Sequence, residues 1–99
     1  MTRPEQADHI EWFTSKMKAI ILSKGNDYAN EDRLSNFKLS GAICGLTAEQ
    51  NCLSLIATKV ARLGVLLKSD TPAENESIED SLIDLANYAV LLDQIRKDK

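Results

Sequence analysis

The stretch Glu76–Asp93, ESIEDSLIDLANYAVLLD, constrains this chain more than any other. Wound at about 100° per residue, it places Ile78, Leu82, Leu85, Ala86, Ala89 and Leu92 in one broad apolar stripe, which Ile83, Val90 and Leu91 widen. A helix that is apolar over most of its circumference belongs in the middle of a bundle. Yet Asp80, Asp84, Asn87 and Tyr88 cluster on the one face that is left. A carboxylate near a core costs several kcal/mol of desolvation unless it is paired, hydrogen-bonded or metal-bound. Asp80 and Asp84 therefore require partners elsewhere, and Lys59 and Arg62 are the obvious cations.

The remaining helices follow from spacing and caps. Ile10, Phe13, Met17 and Ile20 or Ile21 mark a first helix over about residues 5–23, stopped by Gly25. Trp12 lies beside its stripe, and His9 reads as an exposed first-turn residue. Leu34, Phe37, Leu39, Ala42 and Ile43 mark a short second helix over about 33–44, closed by Gly45. The third opens at Thr47-Ala-Glu-Gln50, which has capping-box spacing, and carries Leu53, Ile56, Val60, Leu63 and Leu67 as its core stripe as far as about Lys68. SDTPAENE, 69–76, is a polar turn with Pro72, and Ser77 or Asn75 caps the last helix.

A turn of that size makes the third and fourth helices antiparallel neighbours. The expected fold is all-α: one domain over 1–99, a bundle of about four helices with two long antiparallel helices, about 48–68 and 77–95, at its centre. In that pairing Lys59 and Arg62 come level with Asp84, because all three lie at similar chain distances from the turn. At about 1.5 Å of rise per residue the mismatch is only a few ångströms.

A chain of 99 residues is near the lower limit for a self-sufficient core, so a homo-oligomer is expected. No apolar run approaches the roughly 18 residues of a membrane span, and MTRPEQADHIEW lacks the pattern of a signal peptide, so the expected compartment is the cytoplasm. The net charge is −3 and no basic stripe gathers, which argues against duplex nucleic acid as a partner. Cys44 and Cys52 with a lone His9 cannot complete a zinc set and read as two buried small hydrophobes. There is no phosphate-binding glycine loop, no nucleotide-fold GxGxxG and no Ser-His-Asp set. Hydrolysis through a metal-bound water is the one enzymatic route this composition leaves open.

Between the first two helices KGNDYANEDRLSNF, 24–37, loses periodicity and gathers Gly, Asn and Asp, as a loop does. Loops of this length in small domains tend to carry function. Asp27, Tyr28, Asn36 and Phe37 are polar and aromatic groups suited to gripping a heterocycle or sugar; the competing reading is a solvated linker tacked down by Tyr28 and Phe37. Lys59 and Arg62 suit an anionic group, while Asp80 and Asp84 either bind Mg²⁺ or hold those cations in place.

Together, KGNDYA (24–29), LSNFK (34–38), IATKVARL (56–63) and ESIEDSLIDLANYAVLL (76–92) resemble small helical domains found largely in phages and associated with nucleotide modification, and more distantly the MazG-like all-α nucleoside triphosphate pyrophosphatases. The resemblance implies a nucleotide pocket between the third and fourth helices, lidded by the 25–37 loop, with Lys24, Asp27, Tyr28, Asn36, Phe37, Lys59, Arg62 and Asn87 as ligand-binding residues and Asp80 and Asp84 as metal candidates. The chain departs from the catalytic pattern: Lys59 and Arg62 stand where MazG-like enzymes resemble one another in an ExxE pair, and the fourth helix has no ExxD. The first expectation is therefore capture of a nucleotide or nucleotide-derived molecule, in the cytoplasm of a host cell if the chain is phage-encoded. The alternatives are Mg²⁺-dependent pyrophosphate release and a structural module held by a buried salt-bridge network.

Overall fold

Thr2 and Glu5 start the chain with a reciprocal cap: the Glu5 amide donates to Thr2 Oγ1 and the Thr2 amide to Glu5 Oε1, both at 3.2 Å. These bonds satisfy amides that have no partner inside the helix, and they hold the Glu5 carboxyl below its usual range. Helix α1 therefore begins at Arg3, earlier than periodicity alone suggests, and runs to Gly25. The structure, a computed structural model, describes residues 1–25, 32, 34–68 and 72–98, and the side chains of all of these except 24, 25 and 72–76. Helices α2 (Ser35–Ile43), α3 (Ala48–Leu66) and α4 (Pro72–Lys97) follow, and no strand occurs among the described residues.

The α2–α3 corner is fixed by backbone chemistry. Gly45 takes φ 72°, a conformation that costs a side-chain-bearing residue about 1 kcal/mol or more. This lets the Leu46 amide reach Gly41 O at 2.8 Å and the Gly45 amide reach Ala42 O at 3.2 Å, the paired bonds of a Schellman ending. The expected capping box then opens α3, with Gln50 N donating to Thr47 Oγ1 at 3.0 Å and Thr47 N to Gln50 Oε1 at 2.9 Å. Asn51 ties the two helices together by donating to Phe37 O and Ser40 Oγ.

Helix α4 begins at Pro72 rather than near residue 77. Pro at a first helical position loses nothing, since its missing N–H would be unpaired there anyway. Ser77 consequently lies inside the helix and does not cap it.

Two side-chain contacts set how α3 and α4 face each other. Cys52 Sγ donates to Tyr88 O at 3.5 Å, and Lys59 Nζ pairs with Asp84 Oδ2 at 2.9 Å. Higher numbers on α3 meet lower numbers on α4, so the helices are antiparallel as expected. Helix α2 packs on α3 and α1 on α4, which leaves the α3–α4 pair at the centre. Leu34, Phe37, Cys52 and Ile95 form the buried core, with Leu55, Ile56, Tyr88 and Leu91 packed against it.

Several expected core positions are displaced. On α3 the buried residues are Cys52 and Leu63, while Leu53, Val60 and Leu67 are exposed. On α4 the deepest side chains are Ile83, Ser81, Asn87 and Ile95, whereas Leu82 and Ala89 of the expected stripe face out. Ile10, Leu39 and Ile43 are exposed too. The physical reason is common to α3 and α4: the polar pair Lys59–Asp84 occupies the seam, which rotates the strongest apolar stripes away from it. Cys44, at the end of α2, is exposed and Cys52 is fully buried, so only one of the two cysteines is a core residue. Burial pushes the Cys52 thiol above its usual range.

Lys38 clasps the segment before α2 to the end of α4, lying 2.6 Å from Asp32 Oδ2 and 3.1 Å from Asp98 Oδ2. The bond from Lys38 first, and then the one from the Leu34 amide, holds the Asp32 carboxyl below 3.8, while the two carboxylates raise Lys38 above 10.5. The contribution of Asp32 to stability is thus present above 3.8 and disappears as pH falls through its lowered value; that of Lys38 is present below 10.5 and disappears as pH climbs through its raised value. Lys38→Met should shift the Asp32 titration upward in a carboxyl-detected NMR experiment. An unchanged Asp32 titration would mean that the clasp does not form.

Candidate functional site

Because α3 and α4 are antiparallel, the residues that precede each seam contact turn to one side of the pair and those that follow turn to the other. Asn51 precedes Cys52 and bonds α2, so α2 covers the first side near the start of α3. On that side of α4, Ile83 precedes Asp84 and Asn87 precedes Tyr88. Helix α1 reaches α4 through Lys16, whose Nζ lies 3.4 Å from Glu79 Oε2. Ser81, Asp84 and Asn87 of α4 are turned inward, whereas Asp80, Asp93, Gln94, Arg96 and Lys97 stay on the exposed face as on an ordinary surface helix.

Asn87 is the unusual member. It is 6% exposed, and among the described residues neither its Nδ2 nor its Oδ1 has a hydrogen-bond partner. An amide offers two donors and an acceptor, and leaving one buried polar group unsatisfied costs about 1–3 kcal/mol. Asp84 lies one turn before it on the same side of the helix. The Lys59–Asp84 pair is only partly shielded, with side chains 25% and 21% exposed, so its charges remain within reach of a solute.

The other expected site residues are distributed as follows. Arg62 and Asp80 are exposed, and neither makes an ion pair with another described side chain. Asn36 is exposed on α2, where its carbonyl accepts from Ser40 Oγ at 2.6 Å. Phe37 is buried in the core beside Cys52 and Ile95, where it anchors α2. Asp27 and Tyr28 lie outside the described residues, as does the side chain of Lys24. The structure thus brings together Lys59, Asp84 and Asn87, and sets Phe37 to packing.

Asp80 and Asp84 do not by themselves make a metal centre. Among the described residues no three His, Cys, Asp or Glu side chains gather to hold an ion. A divalent cation on Asp84 would also have to compete with the Lys59 ammonium 2.9 Å away.

No helix among the described residues is long and apolar enough to cross a membrane. No family model, curated protein or solved structure matches the chain.

Removing one partner of the Lys59–Asp84 pair strands the other in a half-buried seam. Asp84→Ala should cost about 1–3 kcal/mol, between the values for exposed and fully buried pairs. Asp84→Asn should cost less, because a hydrogen bond from Lys59 survives. Urea denaturation checks both, and an Asp84→Ala protein within a few tenths of wild type would place this carboxylate in solvent.

Proposed function

We propose that the chain binds a nucleotide or nucleotide-derived small molecule at the α3–α4 seam, on the side where Asn87 is buried. The carrying observation is the Asn87 amide, whose two polar atoms are shielded from water and unpartnered. A nucleobase edge presents a donor beside an acceptor, the pattern an asparagine amide complements in a bidentate pair. Binding such a ligand would satisfy groups that the unliganded fold leaves unpaired. The charges beside Asn87 suit the rest of a nucleotide: Lys59 supplies a point charge and the exposed Arg62 a fork for phosphate.

The resemblance to phage nucleotide-modification domains supports the same ligand class. The lack of an ExxE pair, with Lys59 and Arg62 at those positions, favours direct capture of the anion over metal-assisted hydrolysis. In this reading the protein sequesters a nucleotide signal or hands a nucleotide to a modification reaction.

A panel of nucleoside mono- and triphosphates and cyclic dinucleotides, scanned by thermal shift with EDTA present, tests the proposal. A ligand at 100 times its dissociation constant should add about 2.7 kcal/mol of stability. Binding should weaken with salt, and Lys59→Met or Arg62→Ala should weaken it tenfold or more. Silence across the panel would favour a structural module. Binding only with Mg²⁺, with pyrophosphate released, would put the MazG-like hydrolase reading ahead of capture.

A further inference from the structure

Among the described residues, the α3 part of the second side of the α3–α4 pair is left exposed. Leu53 follows Cys52, Val60 follows Lys59, Leu85 follows Asp84 and Ala89 follows Tyr88, so all four turn to that side. Leu53, Val60 and Leu67 are 56%, 52% and 66% exposed, and they recur at the seven-residue interval of a packing seam. Ala57, Ala61 and Gly64 fill the same side of α3 and are exposed as well. Ala89 continues the surface on α4. On α3 no charged residue interrupts it between Glu49 and Lys68.

The total surface leaves room for such a contact. The chain exposes 7152 Å², about 1,500 Å² more than the roughly 5,600 Å² expected of a compact monomer of its mass. Its radius of gyration of 15.4 Å likewise exceeds the roughly 13 Å of a compact chain this long. A standard interface takes about 800 Å² from each partner, so one such contact fits well within the excess.

We propose that this face binds a second copy of the chain, with α3 packed antiparallel on the partner's α3 across a two-fold axis at Val60. The pattern is self-complementary about that point. Reversed, Leu53 meets the partner subunit's Leu67, Ala57 comes beside the partner subunit's Gly64, and Val60 meets the partner subunit's Val60. Glu49 then comes within about one helical turn of the partner subunit's Lys68, opposite in charge. Gly64 has a role in this arrangement that it lacks in the single chain, where an added Cβ meets nothing within 4 Å.

Val60→Cys in a Cys44→Ser background, oxidised mildly and run without reductant, tests the axis. Light scattering on the unmodified protein should give twice 11.0 kDa, and the Val60→Cys chains should crosslink nearly completely as dimers. Val60→Glu should dissociate the dimer at least a hundredfold more readily while keeping its helical circular dichroism. A single 11.0 kDa species at micromolar concentration would overturn the proposal and assign the face to another partner. An oligomer that neither crosslinks through position 60 nor responds to Val60→Glu would overturn it as well. Ligand binding at Asn87 does not enter any of these readouts.

Discussion

The ion pair between Lys59 and Asp84 sets the rotation of the two central helices, and most of the molecule follows from that rotation. With Lys59 and Asp84 at the seam, Cys52 comes under Tyr88 and closes the core with Phe37 and Ile95. Each helix must then turn its strongest apolar stripe aside. An apolar seam would have been easier to stabilise, since a buried ion pair often does no better than well-packed hydrophobes. The fold instead places an amine, two carboxylate oxygens and an unpartnered amide along the line where its longest helices meet or just beside it.

That choice leaves a small core. Among the described residues, Ile83 and Cys52 are the largest fully buried side chains and the buried hydrophobic residues are few. The two proposals answer the same deficit from opposite sides of the seam. A ligand on the Asn87 side would satisfy polar groups that the chain leaves unpaired, and a second copy on the Val60 side would cover apolar surface that it leaves wet. Marginal stability in the isolated chain is the expected companion of both.

Much of the architecture was legible in the residues. The Thr47–Gln50 spacing, the helix stop at Gly45 and the register that brings Lys59 level with Asp84 are local rules or chain-length arithmetic, and all three hold. Of the α3 stripe, Leu63 is buried and Ile56 packs on the core, while periodicity shows that Leu53, Val60 and Leu67 share a face but not whether that face meets α4, solvent or another chain. The start of α1 follows from the capping-box spacing of Thr2 and Glu5 and not from its apolar stripe, and the start of α4 is ambiguous in the residues because Pro72 reads equally well as a turn or a first helical residue. Of the candidate site, the charged pair was recoverable from register. Phe37 was not separable from a ligand-gripping aromatic by residue type, and the isolation of Asn87 depends on packing that no local pattern records.

In its proposed binding role Asn87 is retained at the expense of stability, and Asn87→Leu examines that exchange directly. Leucine has the same branched heavy-atom skeleton and no polar atoms to leave unpaired. The substitution should therefore raise stability by about 1–3 kcal/mol, and the melting temperature by several degrees for each kcal/mol in a domain of this size, while abolishing nucleotide-dependent stabilisation. A variant that melts below the wild type, or that still responds to nucleotide as the wild type does, would contradict it.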